Sequence, residues 1–248
     1  MADDGVDDIF VYLGGDQEVP RNVAHVIIDR SVNIIPEKAF CERRQLISVE
    51  MHEDVEKIEF AAFYSCSSLR KIKLIGVREV EYEAFYNCAA LNDVEFGVKL
   101  ETIQAMAFDY CISLQKIKMP SARFIECGAF SDCDQLSEAD FGCNLERIDT
   151  LSFDCCPNLR RIAIPLRDDI FPLPSPYSNS GLCNQFGNCP NLTTVDLVGV
   201  DGINKTISSL FLQSWKDDMN HDMNCINQVL PHTTESAKTD TIRLWIGS

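Results

Sequence analysis

A phenylalanine returns through this chain at Phe40, Phe63, Phe85, Phe108, Phe130 and Phe153, at steps of 23, 22, 23, 22 and 23 residues, and once more at Phe186. Each sits in one frame, I-x-x-x-A-F-x-x-C-x-x-L-x-x-I-x-Φ, where Φ is a large apolar residue; Ile58 to Leu74 and Ile103 to Met119 are clean copies. A fixed period of this length marks a repeat architecture, because one unit carries too few apolar groups to bury its own face and must stack on its neighbours. The buried set of one copy is then Ile58, Ala62, Phe63, Cys66, Leu69, Ile72 and Leu74. The end of the frame alternates, as in Ile72-Lys73-Leu74, which is the period of a strand. The A-F-x-x-C part is too short for an ordinary helix and is expected to make one or two turns. A second short extended piece is expected around Ile58, Val80, Ile103, Ile125 and Ile148.

The frame resembles the BspA-type, or treponemal-type, leucine-rich repeat, whose consensus carries the same A-F-x-x-C-x-x-L-x-x-I-x-Φ core. The resemblance covers about residues 20 to 200 and returns seven times, counting Ile35 to Met51, where Arg43 replaces the Cys, and an irregular copy around Leu182 to Leu197. Outside the repeats, Asp7-Asp8-Ile9-Phe10-Val11-Tyr12, Lys205 to Leu210, Trp215 and Gln228-Val229-Leu230-Pro231 look like the group of such proteins expanded in diatoms. The resemblance implies a curved, right-handed solenoid used for interaction: one short parallel β-strand and one short helical or turn segment per repeat, with a C-terminal α-helical cap. It supplies no catalytic residue.

The chain then divides into an acidic N-terminal segment and cap at 1–34, repeats over 35–199, and a C-terminal helical cap at 200–248. The period breaks between Phe153 and Phe186, where an insertion is expected at about 166–181. Its prolines, Pro172, Pro174 and Pro176, favour extended backbone and remove amide donors, so it should bulge from the stack and display Phe171 and Tyr177. In the cap, Ile207, Leu210, Phe211, Trp215, Met219, Met223, Ile226 and Leu230 follow helical spacing up to Pro231. A second helix begins after Thr239 and leaves Trp245 and Ile246 poorly placed for burial, as in a truncated cap or one that pairs with another chain.

Six of the twelve cysteines, Cys66, Cys88, Cys111, Cys133, Cys156 and Cys189, share one interior repeat position and read as small buried apolar residues. Metal spacing is absent, no glycine-rich phosphate loop occurs, and His25, His52, His221 and His232 join no nucleophile motif, so neither cofactor nor catalysis is expected. The net charge of −16 disfavours nucleic acid, and no apolar run approaches the length of a membrane span. The acidic start, Met1 to Asp8, is unlike a secretory signal, which points to the cytoplasm.

Read down the stack, the two outward positions of each expected strand alternate in sign: Ser48 and Glu50, Lys71 and Lys73, Asp93 and Glu95, Lys116 and Lys118, Glu138 and Asp140, Arg161 and Ala163, Thr194 and Asp196. Neighbouring rungs lie about 4.8 Å apart, so each Lys is expected between carboxylates above and below. A second column, Glu59, Glu81, Gln104, Glu126 and Asp149, reads as a solvated acidic edge, the alternative being a docking strip for a basic partner, and a charge change at Glu59 should be nearly silent. The functional expectation is a non-enzymatic scaffold for an unknown protein partner, with Lys71, Lys73, Asp93, Glu95, Lys116, Lys118, Glu138, Asp140, Phe171 and Tyr177 as candidate contacts. The alternative is cell-surface adhesion, and the oligomeric state is left open.

Overall fold

The computed structural model describes residues 9–15, 17–167, 169–172, 184–199 and 222–246. Among them, fifteen parallel strands wind as a β-solenoid with two strand-bearing faces. One face holds the longer strands: β1 (Ile9–Tyr12), β2 (His25–Ile28), β4 (Ser48–Glu50), β6 (Lys71–Leu74), β8 (Asp93–Phe96), β10 (Lys116–Met119), β12 (Glu138–Phe141), β14 (Arg161–Pro165) and β15 (Thr194–Val198). The other holds two-residue strands: β3 (Ile34–Ile35), β5 (Lys57–Ile58), β7 (Glu79–Val80), β9 (Thr102–Ile103), β11 (Phe124–Ile125) and β13 (Arg147–Ile148), which form one unbroken sheet. The long strands alternate, Lys71–Leu74 being exposed, buried, exposed, buried, as the frame requires.

The third side, A-F-x-x-C, is neither strand nor helix. It is a run of turns in which two residues per rung take the left-handed conformation, such as Ala61 (φ 50°) and Ser65 (φ 55°), or Glu83 (φ 55°) and Asn87 (φ 56°). That geometry turns the amides toward the next rung: the Phe63 N–H donates to Ala84 O (2.7 Å) and the Phe85 N–H to Ala107 O (2.7 Å). A helix would have spent those donors within its own turn. The hydrogen bonds between rungs therefore run along this side too.

Inside the coil, Phe40, Phe63, Phe85, Phe108, Phe130, Phe153 and Phe186 are fully buried and stacked nearly parallel, with centroids 4.9–5.8 Å apart. Edge-on rings close the column: Tyr12 on Phe40 (5.0 Å, 62°) and Phe171 on Phe186 (5.8 Å, 87°). The cysteine column lies beside it. Each of its six thiols donates to the carbonyl of the preceding rung's Phe, from Cys66 Sγ to Phe40 O (3.0 Å) through Cys189 Sγ to Phe153 O (2.9 Å). Cysteine thus fills the place of a small apolar residue and also satisfies a buried carbonyl. Burial pushes the Cys66 thiol up to about 12 and raises Cys88, Cys111 and Cys133 well above the ordinary range.

The expected insertion starts later than its composition implies. Pro165 still belongs to β14, opposite Val198, and the Ile148 N–H donates to Ile170 O (2.8 Å), so Ile170 takes the repeat's Ile position. Ile170 and Phe171 are 1% and 3% exposed, because the empty end of the Phe column draws the Phe171 ring inward. The extra residues thus fall between Phe171 and Gln185, and Phe171 is a core residue and not a displayed contact. Tyr177 lies outside the described residues, as do Ile207, Leu210, Phe211, Trp215 and Met219.

Both ends are closed. At the front, the Gln17 carboxamide accepts from Leu13 N–H (2.6 Å) and donates to Val11 O (3.3 Å), covering part of the free edge of β1. At the back, helix α1 (222–229) places Ile226 in the core and Asn227 on the edge of β15, where it accepts from Val195 N–H (2.9 Å) and donates to Val195 O (3.5 Å). Helix α2 (Lys238–Ile246) buries Ile242, while Lys238 donates to Pro190 O (2.8 Å) and Leu192 O (2.6 Å). Trp245 and Ile246 pack partly buried against the core, contrary to expectation, because α2 lies across the last rung. Such closure denies a partner chain the row of free amides that an open edge presents.

Phe108→Ala, which empties the middle of the ring column, is expected to cost about 3–5 kcal/mol, read from urea unfolding. In native protein the six column thiols should react with a thiol reagent only on unfolding, whereas the exposed Cys143 should react at once.

Candidate interaction surfaces

The outward side chains of the long strands form the charged columns anticipated from the repeat. In register, Lys71 faces Asp93 and Lys73 faces Glu95, with ion pairs of 3.3 and 2.9 Å. Lys116 faces Glu138 at 2.6 Å. Arg161 bridges Asp140 and Asp196 and reaches Glu138 at 3.9 Å. Glu138 is held below the usual carboxylate range, first by the hydrogen bond from Lys116.

The alternation is nevertheless interrupted. The long-strand face splits into a sheet ending at β8 and another beginning at β10, and no ion pair crosses from Asp93 or Glu95 to Lys116 or Lys118. Lys71, Lys73 and Lys116 each pair with a carboxylate on one side and not on both. Lys118, opposite Asp140 in register, makes no ion pair, because Asp140 is taken by Arg161. The seam lies beside Phe96, whose ring meets Phe108 edge-on (5.7 Å, 76°); Phe141 packs likewise on Phe153, and there too the ladder stops one residue short, at Asp140 and Ala163. A Phe at the Φ position, turned toward the next rung's ring, accompanies these two interruptions, whereas the β4–β6 ladder, which pairs only Ser48 with Lys71, shortens beside Met51.

The second column is not a solvated edge. The carboxylate of Glu59 accepts from Glu37 N–H (3.1 Å), Glu81 from Phe60 N–H (2.9 Å) and Glu126 from Ala105 N–H (3.1 Å), while Gln104 accepts from Tyr82 N–H (3.2 Å). These side chains hold the turn of the preceding rung, so a substitution there is not silent. The sequence showed the acidity of the column but not the amides left over where the short strand passes into the turn.

Reading by charge and period also passed over two aromatic columns on the turn side. Phe60 stacks on Tyr82 (5.8 Å), and Tyr64 stacks on Tyr86 (5.0 Å), which meets Tyr110 edge-on (5.6 Å, 61°). Tyr82 and Tyr110 are 40% and 43% exposed. Their spacing of 22 residues, Phe60 to Tyr82 and Tyr64 to Tyr86, was the available signal. Next in the Tyr64 and Tyr86 position comes Asp109, 8% exposed, with Oδ1 lacking any hydrogen-bond partner. Burial, then the neighbouring Asp132, pushes its carboxyl up to about 7.

Comparison with known proteins follows the same frame. The model of the "BspA type Leucine rich repeat region" matches residues 20–122 and 74–172, with six copies, which is more than half of the chain. The chain belongs to the BspA-type leucine-rich-repeat family. Among solved structures, a Treponema pallidum leucine-rich-repeat protein is similar at 28% identity and TM-score 0.55, over 62% of this chain and 72% of that one. A Bacteroides ovatus leucine-rich-repeat protein is similar at 21% identity and TM-score 0.43, over 60% and 48%. No curated protein matches. Among the described residues no group of three His, Cys, Asp or Glu side chains could hold a metal, and no helix is long and apolar enough to cross a membrane.

Three outcomes test these assignments. Replacing Asp93 and Glu95 by Lys should lower the melting temperature by several degrees at low salt, and adding Lys71→Glu and Lys73→Glu should restore it fully, because the seam isolates these pairs from Lys116 and Lys118; partial recovery would mean that the columns interact across β8 and β10. Glu126→Ala should cost about 1.5–3 kcal/mol in urea unfolding and Glu126→Gln much less, since Gln104 already serves in the same column. Because the folded Asp109 carboxyl holds its proton to about pH 7 while the unfolded one releases it near 4, stability should fall as pH rises through that interval. Asp109→Asn should therefore gain about 1–3 kcal/mol at pH 8 and little at pH 4.

Proposed function

We propose that this chain is a non-enzymatic scaffold that holds a protein partner against the long-strand face of its solenoid, within a reducing compartment of the cell. The observation that carries the reading is the seam between β8 and β10. There Asp93 and Glu95, paired back to Lys71 and Lys73, end one ladder, and Lys116, paired forward to Glu138, begins the next, while Lys118 beside it makes no ion pair because Asp140 is held by Arg161. The other charges of β6, β8, β10 and β12 are paired within their own sheet and offer little net field, so Lys118 is the charge left for a partner. A partner with a matching acidic and basic stripe gains specificity at this step more than raw affinity. Family membership supports interaction as the role, since a solenoid presents an extended surface built on a repetitive core. The thiols of the cysteine column, bonded to backbone carbonyls, support the reducing compartment.

Affinity capture from the native cell, with intact chain and with a variant carrying Lys116→Glu and Lys118→Glu, tests the proposal. The expected result is one partner held by the intact chain and lost from the variant while the melting temperature stays within a few degrees. Equal capture by both would remove the long-strand face from consideration, and recovery of the chain in a surface fraction would overturn the compartment.

A further inference from the structure

Tyrosine is not required at these outward turn positions, since the rungs beyond Tyr110 carry Ser131, Asp132, Asp154 and Cys155 in the places equivalent to Tyr86 and Tyr110. Tyr86 and Tyr110 meet edge-on, and with Tyr82 they share one nearby carboxylate. Asp109 lies within electrostatic reach of all three hydroxyls and, with Glu83 and Asp132, helps hold them above the ordinary range: in Tyr82 after the Glu83 hydrogen bond and burial, in Tyr86 after burial, and in Tyr110 after Asp132. Its Oδ1 has no partner, although the side chain is nine-tenths buried. At this position in the neighbouring rungs, Ser131 has a hydroxyl bonded to Asp132 and Asp154 receives Asn188. The Asp109 carboxylate is therefore buried near three tyrosines without a compensating cation, on a protein of net charge −16.

We propose that the turn face holds a binding site for the cationic side chain, arginine or lysine, of a basic protein segment, formed by Tyr82, Tyr86, Tyr110, Asp109 and Asp132. The ring faces attract the cation through their quadrupoles, and its charge offsets that of the buried Asp109. The 61° setting of Tyr86 and Tyr110 presents one face and one edge, so a cation enters beside the rings and not between parallel plates. Phe60 and Tyr64 extend the aromatic surface over three rungs, roughly 10 Å, longer than a single small ammonium ion needs and suited to a peptide. Glu83, within electrostatic reach of Tyr82, Tyr86 and Asp109, keeps the approach acidic. The inference shares with the proposed function the reading of this chain as an interaction protein, but it uses a different face.

Fluorescence anisotropy with a labelled octa-arginine peptide at about 150 mM salt is the test, since the Debye length there, about 8 Å, suppresses long-range attraction. Tyr86→Leu and Tyr110→Leu keep every charge and should each weaken binding by about 3–10-fold, as loss of one cation–π contact implies. Asp132→Asn should weaken it similarly, whereas Asp93→Asn with Glu95→Gln, which removes more charge from the long-strand face, should not. Each variant's melting temperature is recorded, and Tyr82→Leu, at a more exposed position, serves as a second aromatic variant should Tyr86→Leu fail to fold. Tyrosine variants that bind like the native chain, or a long-strand variant that loses as much, would show nonspecific charge attraction and overturn the site. Since the peptide reports only on the turn face, that failure would leave the capture experiment untouched.

Discussion

Everything in this fold depends on keeping successive rungs at the spacing of hydrogen-bonded strands. The stacked phenylalanines show that constraint in the core, with centroids of 4.9–5.8 Å along the whole column. Three further series of contacts share the same translation: the short-strand ladder, the amide-to-carbonyl bonds between turns, and the thiols that reach back to a Phe carbonyl. Since one rung cannot bury its own apolar side, a defect in any series is transmitted to its neighbours. Left-handed backbone at residues such as Ala61, Met106 and Leu151 is the local cost of this arrangement, offset by the bonds it allows between rungs. Gly97 shows how closely the rungs approach, because a Cβ there would lie 1.9 Å from Ile75 O.

The long-strand face departs from that regularity at a single seam, and its electrostatics follow the departure. Within paired strands Lys71 meets Asp93, Lys73 meets Glu95 and Lys116 meets Glu138; where β8 and β10 do not pair, the charges remain apart. The acidic column beside the short strands has a different task, since its carboxylates close backbone donors that neither strand nor turn uses. Exposed charge thus joins rungs along the long strands and closes backbone donors beside the short ones. The tyrosine cluster on the third side adds aromatic surface near a carboxylate that the fold leaves unsatisfied.

The ends show the same economy of means. A repeat stack has two raw edges, and each is met by a carboxamide that mimics a neighbouring strand: Gln17 in front and Asn227 behind. Rings set edge-on complete the core at the same ends, Tyr12 and Phe171. Lys238 adds a buried ammonium held by two carbonyls of the last rung, and removal from water lowers its pKa.

The sequence by itself determined the period, the interior face and the register, because a buried position in a stacked repeat must be apolar in every copy: Phe63, Cys66, Leu69 and Ile72 were legible for that reason. It also determined which charges stand opposite, as Lys71 with Asp93. Which pairs close was decided only by the tertiary structure, since an ion pair depends on a few tenths of a nanometre that a Phe at the Φ position can alter. Tertiary structure likewise decided that Phe171 turns inward, where the end of the ring column offers an apolar partner that composition cannot reveal. The same holds for the acidic column and Asp109. Whether a carboxylate is solvated, bonded to an amide or left without a partner is set by the neighbouring rung's backbone, and that backbone takes its place only when the rungs stack.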